Sequence, residues 1–361
     1  MLAHLSRATR KLPIVSFFHS HLSLPRTIAS MAAPPIKGKS FRIALIQLGG
    51  VGPDKTANLE RARVKISEAV KGGKEGRKPD MIVLPEIFNS PYATGSFRQY
   101  AERIAFDPSK PSSEQAETSL SESLSMLSQA AKDANAWLVG GSIPELAEDL
   151  RIYNSSPTFS PDGTLVALHR KVHLFDIDIP GGITFKESET LTGGDHVTIV
   201  QTGGQRFGKI AIGICYDLRF PELAMHAARQ GCVAMIYPAA FNCTTGPLHW
   251  DLLQRARAVD NQFYIVMCSP ARATDGDGYK AWGYSGVTDP MQVPSLLVID
   301  VSLTNFSLRR GKIVAQMEEK EGILFADIDM DVINKARAGI PVTVQRRFDV
   351  YSDVTLRKQD S

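Results

Sequence analysis

The feature that most constrains this chain is an apolar run, residues 207–215, that ends at a cysteine and leads directly into helix-start residues. The run FGKIAIGIC is rich in β-branched residues and predicts a buried strand. After it, Asp217 is a candidate helix N-cap and Pro221 suits a first helical turn. The thiol of Cys215 would then face the positive end of a helix, which lowers a thiol pKa and favours the nucleophilic thiolate. The alternative is that Cys215 is a small buried hydrophobe.

Strand and helix patterns alternate on both sides of this point. Strands are predicted at 41–48, 80–85, 137–142, 152–160, 164–169, 197–201, 207–214, 233–237, 262–269, 282–288 and 323–328. Helices are predicted at 56–70, 112–135, 220–230, 248–261 and 330–337. The turn Pro161-Asp162-Gly163 joins two strands as a hairpin. This mixture predicts one α/β domain in which helices cover sheets, rather than a closed parallel barrel.

Composition excludes several classes of protein. The net charge of +3 is too small to indicate a nucleic-acid partner, and no run of about 18 apolar residues could cross a membrane. The cysteines form no Cys-x-x-Cys pair, which indicates a reducing compartment without disulfides. The eight histidines form no His-x-His or His-Glu-x-x-His pattern. The sequence therefore predicts no metal site.

Residues 1–39 have the composition of a targeting segment. They carry six Arg and Lys residues, and the first acidic residue of the chain is Asp54. Residues 2–18 can form a basic amphipathic helix, which is typical of a mitochondrial presequence. A disordered basic tail is the alternative. Met31 opens Met-Ala-Ala-Pro-Pro and offers a second start that would give a cytoplasmic form.

Two charged residues follow apolar strands and could serve a thiol nucleophile. Such a nucleophile needs a base for its proton and a donor for the oxyanion. Glu86 follows Val83-Leu84-Pro85, and Lys171 follows the strand 164–169 and Arg170. Because α/β active sites form at the ends of strands, both could converge with Cys215. Taken singly, each is better explained as a solvated charge at a strand end.

Three segments together resemble the signatures of the nitrilase, or carbon–nitrogen hydrolase, superfamily. They are LPE at 84–86, HRKVHLF at 169–175 and GICYDLRFPE at 213–222, and they occur in the order of that family. The resemblance covers residues 41–351. Within the superfamily the chain most resembles the omega-amidase branch, in segments 86–92, 171–178, 183–188, 237–250 and 269–272.

The resemblance implies a four-layer α-β-β-α sandwich of the nitrilase type. The hydrolase domain would span residues 40–351, and residues 352–361 would form a C-terminal tail. It implies no cofactor. It also implies a homodimer that packs through the helices around and after the Cys215 turn.

The same resemblance implies a catalytic set. Glu86 would be the general base, Lys171 the oxyanion stabiliser and Cys215 the nucleophile, with Glu187 as a second carboxylate beside them. The backbone N–H of Tyr216 is expected to share the oxyanion with Lys171. Burial should raise the pKa of Glu86, and Lys171 should oppose that shift. The alternative for Glu187 is an acidic helix start.

The omega-amidase resemblance implies that the substrates are terminal amides of dicarboxylate monoamides, such as 2-oxoglutaramate and 2-oxosuccinamate. The distant carboxylate of such a small-molecule amide needs a cation or hydroxyl groups. The candidates are Tyr92, Thr244, Thr245, Arg272 and Arg219. Arg219 has an alternative as a surface charge paired with Glu222 one helical turn on.

Residues 292–310 depart from the family pattern. The family runs almost directly from the segment at 289–291 to the one at 311–316, through a tight hairpin turn. Here an apolar stretch intervenes, and long unstructured loops are uncommon in compact domains. We hypothesise a retained intron or a faulty gene model, and the alternative is a real excursion that serves as a partner surface. Sequencing of transcripts across the junction distinguishes the two.

Functions of three kinds fit these observations. The first is an omega-amidase without a cofactor. The second is the sister activity on deaminated glutathione, which needs a longer cleft than the small cation-lined pocket that suits 2-oxoglutaramate. The third is a catalytically silent scaffold, although a scaffold has no need for Glu86, Lys171 and Cys215 together.

Overall fold

A computed structural model describes residues 35–36, 38–107, 121–178, 180, 184–202, 207–274, 279–291 and 313–355. Most of the expected targeting segment 1–39 lies outside the described residues, and so does the whole atypical stretch 292–310. Only the first four residues of the expected tail 352–361 are described. Within the described ranges, no helix is long and apolar enough to span a membrane.

Two large sheets and a small ribbon hold the strands. In chain order these are β1 (Phe41–Gln47), β2 (Met81–Val83), β3 (Trp137–Val139), β4 (Ile143–Leu146), β5 (Ile152–Phe159), β6 (Leu165–Arg170), β7 (Asp176–Asp178), β8 (Thr184–Lys186), β9 (Thr198–Gln201), β10 (Lys209–Ile212), β11 (Cys232–Pro238), β12 (Tyr264–Cys268), β13 (Gly286–Thr288), β14 (Ile313–Gln316) and β15 (Gly322–Ile328). The first sheet runs β15-β1-β2-β3-β5-β4, with β6 also paired to β5. The second runs β14-β13-β12-β11-β10-β9, and β7 pairs with β8.

The described residues also form helices. They are α1 (Lys55–Val70), α2 (Phe97–Tyr100), α3 (Glu122–Ala134), α4 (Pro221–Arg229), α5 (Gly246–Asn261) and α6 (Met330–Gly339). The side chain of Asp54 caps α1 by accepting a hydrogen bond from the N–H of Ala57, and is one of the two caps, Asp54 or Thr56, that the sequence predicts. Pro221 occupies the first turn of α4, also as predicted.

Alternation of side chains along the strands produces four layers. On β1, Ile43 and Leu45 face the second sheet and join a core with Ile210 and Val266. The intervening residues of β1 face the other way, where Ala44 and Ile46 pack with apolar residues of α1 and α3. The second sheet is likewise covered by α4 and α5. The expected α-β-β-α sandwich is confirmed.

Most predicted elements lie within a few residues of the observed ones, with two kinds of exception. Of the helix predicted at 112–135, residues 112–120 lie outside the described residues, and the observed helix begins at Glu122, where Ser121 has extended backbone and caps it through its hydroxyl. The short strands β4, β7, β8 and β14 were not predicted. The ribbon strands β7 and β8 are three residues long, and one apolar residue in each is too little for a pattern to show.

The turn that carries Glu86 rests on the segment after β3. The N–H of Ser142 donates to the carbonyl of Pro85, and the hydroxyl of Ser142 accepts from the N–H of Ile87. Gly141 has a φ of +63°, and a Cβ there would lie 2.2 Å from the oxygen of Pro85. Only glycine fits this position without displacing the turn.

We therefore expect Gly141→Ala to lower the free energy of unfolding by about 2 kcal/mol or more, because both its backbone angle and its contact with Pro85 become strained. Urea unfolding measures this loss. Gly95→Ala is the matched control, since a Cβ at Gly95 meets nothing within 4 Å. Equal stabilities of the two variants would contradict the assignment.

Candidate active site

Cys215 lies at a strained turn directly after β10. Its φ is +45°, an unusual value for a residue with a side chain, and it begins a 3-10 turn that spans Cys215–Arg219. The cysteine is 5% exposed. Strain of this kind persists where the surrounding structure fixes it, and it clusters at functional sites.

A buried lysine between two carboxylates lies beside this turn. The ammonium of Lys171 donates to Glu86 Oε1 at 3.0 Å and to Glu187 Oε1 at 2.9 Å. All three side chains are completely buried. Glu187 Oε2 also accepts from the N–H of Phe175, which anchors the second carboxylate. Glu187 also begins a short 3-10 turn, so it is both an acid at a helix start and a member of the cluster.

Burial and these charges shift the pKa values in ways that suit proton exchange. Burial raises the pKa of Glu86, the charge of Lys171 opposes the shift and Glu187 reinforces it. Burial disfavours the charge on Lys171, but the carboxylates of Glu187 and Glu86 outweigh it and raise its pKa well above the ordinary value. Lys171 is therefore a fixed cation, and Glu86 is the group ready to exchange protons.

The expected lowering of the Cys215 pKa is wrong. Burial and the nearby charge of Glu86 raise the pKa of the thiol, while Lys171 and the N–H of Ala240 oppose the rise. The turn that starts at Cys215 is five residues long, so its weak dipole cannot outweigh desolvation. Because its pKa is raised, Cys215 rests as a thiol beside Glu86. It needs a base at the moment of reaction.

Asp217 was predicted to cap a helix, and the structure corrects this. Its carboxylate accepts from the N–H of Ile214 at 2.9 Å and from His169 Nε2 at 3.1 Å. It also accepts from both the backbone N–H and the Nδ1 of His173, at 2.9 and 2.8 Å. Burial alone would raise the pKa of Asp217, but the hydrogen bonds from His169 and His173 lower it well below the ordinary value. Asp217 thereby joins the Cys215 turn to the segment that carries Lys171.

Tyr92 is the one substrate-binding candidate that the structure brings to the catalytic cluster. Its hydroxyl donates to Glu187 Oε1 at 2.8 Å and lies 3.4 Å from Glu86 Oε1. Its ring packs against Phe185 of β8 and, at 4.5 Å between centroids, against Tyr279. The hydroxyl of Tyr279 donates to the carbonyl of Ala240. These rings form an aromatic wall beside the carboxylates.

The other candidates are not placed in this cluster. The hydroxyl of Thr245 donates to Asn242, and Thr244 is exposed. The guanidinium of Arg272 lies over the ring of Trp282 and donates to its carbonyl. Arg219 lies over the ring of Phe241, 4.8 Å from its centroid, and contacts His249. The described residues show no ion pair between Arg219 and Glu222, which was the alternative for this arginine.

Sequence reasoning missed several residues at the site. Asn154 on β5 donates to Glu86 Oε1 at 2.9 Å, and Tyr279 belongs to the aromatic wall. Every residue of β5 is buried, so its pattern gives no sign of which face meets Glu86. His169 and His173 stand two residues on either side of Lys171, a spacing that could have indicated a shared partner. Among the described residues, no group of three His, Cys, Asp or Glu side chains could hold a metal ion.

Comparisons with known proteins agree with this geometry. A family model described as carbon-nitrogen hydrolase matches residues 42–293. A hydrolase of Schizosaccharomyces pombe is 48% identical over 96% of both chains. The omega-amidase NIT3 of Saccharomyces cerevisiae is 49% identical over 90% of this chain and 99% of its own. The crystal structure of Saccharomyces cerevisiae Nit3, a member of branch 10 of the nitrilase superfamily, superposes with a TM-score of 0.70, at 45% identity, over 88% of this chain and all of that one.

For Asp217→Asn we expect a loss of about 2–4 kcal/mol in the free energy of unfolding at pH 7, because four donors lose their anionic acceptor. The lowered pKa means that this carboxylate stabilises the fold fully above its unfolded pKa of about 4, and less as the pH falls below that value. Urea unfolding between pH 7 and pH 2 should show the difference from the wild type shrinking below about pH 4. Asp331→Asn, at an exposed position, is the control. A difference that is constant with pH would refute this role.

Proposed function

The chain belongs to the carbon–nitrogen hydrolase family, and we propose that it is an omega-amidase that releases ammonia from 2-oxo dicarboxylate monoamides. The observation that carries the proposal is the buried Glu86–Lys171–Glu187 cluster beside Cys215 at its strained turn. The high identity to an omega-amidase over nearly its whole length supports the branch. 2-Oxoglutaramate and 2-oxosuccinamate are the proposed substrates.

In the first half of the reaction, Glu86 takes the proton of Cys215 as the sulfur attacks the amide carbon. The thiol must lose its proton to react, and its raised pKa makes this base necessary. The carbonyl oxygen becomes an oxyanion, which Lys171 and the N–H of Tyr216 stabilise. Glu86 then returns the proton to the nitrogen, the C–N bond breaks, and ammonia leaves a thioester on Cys215.

In the second half, water attacks the thioester and Glu86 takes a proton from it. The tetrahedral intermediate collapses, the C–S bond breaks, and the product leaves as a carboxylic acid that gives its remaining proton to solvent. The proton on Glu86 returns to the sulfur, which restores the resting thiol. Glu187 keeps Lys171 in place through both halves, since it accepts a second hydrogen bond from the ammonium that also donates to Glu86.

The substrate carboxylate needs a cation, and two arginines are candidates. Arg219 and Arg272 each have a buried Nε that finds no hydrogen-bond partner among the described residues. An unused donor of this kind is costly unless a ligand completes it. We propose that Tyr92 contacts the reacting end of the substrate and that Arg219, the last residue of the Cys215 turn, contacts the carboxylate. Arg272, Thr244 and Thr245 would lie further out.

We also propose a homodimer and a mitochondrial location. Leu248 and Leu252 lie one helical turn apart on α5 and are 63% and 61% exposed, which supports a partner at this helix. Light scattering of the purified chain tests the dimer. The acid-free basic composition of residues 1–39 supports import into mitochondria, with a cytoplasmic form from Met31. Fractionation of cells that express either start tests the location.

The direct test is ammonia release from 2-oxoglutaramate by residues 31–361. We expect turnover by this chain and a loss of at least about 1,000-fold in Cys215→Ala, because no other group replaces the nucleophile. Cys243→Ala is the matched control, since Cys243 is exposed and outside the cluster, and it should keep full activity. A version without residues 292–310 is measured in parallel.

Each outcome has a distinct meaning. Activity in Cys215→Ala would refute the mechanism. Activity only in the version without residues 292–310 would support a faulty gene model. Absence of turnover in every folded version would refute the proposed substrate, and the same assay with deaminated glutathione would then separate the sister amidase from a silent scaffold.

A further inference from the structure

The two oxygens of the Glu86 carboxylate have very different surroundings. Oε1 accepts from Lys171 at 3.0 Å and from Asn154 at 2.9 Å, and the hydroxyl of Tyr92 lies 3.4 Å away. Oε2 is buried and has no partner of standard geometry among the described residues. Donors therefore occupy Oε1, whereas Oε2 keeps its lone pairs free to accept a proton.

Asn154 contributes to this difference between the two oxygens, because it donates to Oε1 alone. An ionised carboxylate oxygen at 2.9 Å requires a donor, so the amide must present its NH2 group to Glu86 and turn its carbonyl away. That carbonyl oxygen, Oδ1, is buried without a partner. A buried acceptor without a partner costs about 1–3 kcal/mol, and an apolar side chain of the same size would avoid the cost. Stability alone does not explain an asparagine at this position.

The backbone of Asn154 is tied to the other half of the cluster. Its carbonyl accepts from the N–H of Lys171 at 2.8 Å, so one residue contacts the base through its side chain and the cation through its main chain. Asn154 lies within β5, which pairs with β4 on one side and with β6 on the other. This position is rigid, and a group held on a strand is placed more accurately than one on a loop.

We propose that Asn154 is a positioning residue that binds Glu86 Oε1 and so leaves Oε2 as the single oxygen that exchanges protons with Cys215, the leaving nitrogen and water. The inference rests on the proposed hydrolase chemistry, but it concerns the base and not the identity of the amide. By donating to the ionised carboxylate, Asn154 also favours the basic form of Glu86.

Two size-conserving variants test this. In Asn154→Leu the donor is lost, so we expect kcat to fall about 10- to 100-fold with a smaller change in KM, since a base free to rotate loses its orientation. The acid limb of the kcat/KM profile should move to higher pH, because the ionised form of Glu86 loses a hydrogen bond. In Asn154→Asp a second carboxylate faces Glu86, and the limb should move further. The melting temperature of Asn154→Leu should equal or exceed that of the wild type.

Ser155→Ala is the matched control. Ser155 is the next residue of β5, and its hydroxyl donates to a different buried carboxylate, that of Glu145. This variant should leave the pH profile unchanged. The activity of Asn154→Leu could instead fall only in proportion to a drop in its melting temperature, while the acid limb of its kcat/KM profile stays at the wild-type pH. Asn154 would then be merely structural, and the proposal would be wrong.

A substrate-independent measurement separates this proposal from the choice of substrate. The rate of alkylation of Cys215 by iodoacetamide is followed against pH in the same variants. Its acid limb should move upward in the order wild type, Asn154→Leu, Asn154→Asp, even if 2-oxoglutaramate is not the substrate. If the wild type turns over 2-oxoglutaramate but the acid limb of alkylation lies at the same pH in all three proteins, the role of Asn154 is overturned and the omega-amidase proposal stays intact.

Discussion

The site depends on one arrangement of charge, a lysine ammonium buried between two carboxylates. Each of these ions would cost several kcal/mol to bury alone, so the cluster persists only because the three groups compensate one another. The net charge of the group is negative, and the raised pKa of Glu86 relieves it by making that carboxylate easy to protonate. The same electrostatics raise the pKa of Lys171 and keep it charged. In the proposed mechanism, proton exchange and oxyanion stabilisation thus follow from a single buried triad.

Rigid hydrogen bonding maintains the triad from several directions. Glu187 is anchored by the N–H of Phe175, and Glu86 is held by Asn154 and by the turn that Gly141 permits. Asp217 then fixes the Cys215 turn against the segment that carries Lys171. None of these supports contacts a substrate atom in the proposed mechanism. Their common effect is to keep Cys215, Glu86, Lys171 and Glu187 at fixed separations.

Much of the fold could be predicted from the sequence because apolar patterns are local. The strand ends at Glu86, Lys171 and Cys215 could be predicted for this reason. The four layers were predicted from the resemblance. Asn154 could not be identified, since all of β5 is buried and either face could have met the site. The predicted lowering of the thiol pKa was wrong because a short turn gives a weak dipole. The desolvation that dominates instead is a property of the packed molecule. Contacts such as that between Asp217 and His173 join residues 44 positions apart, and no local pattern reports them.

The position of the reacting groups on two different sheets has a consequence for how this enzyme can vary. Glu86 and Lys171 follow strands of the first sheet, whereas Cys215 follows β10 of the second. Stacked sheets lie about 10 Å apart, at a distance set by the side chains between them. Apolar residues such as Val83 and Ile212 therefore act as spacers between nucleophile and base. The volume of the central core, far from any substrate, becomes a means of adjusting reactivity as well as stability.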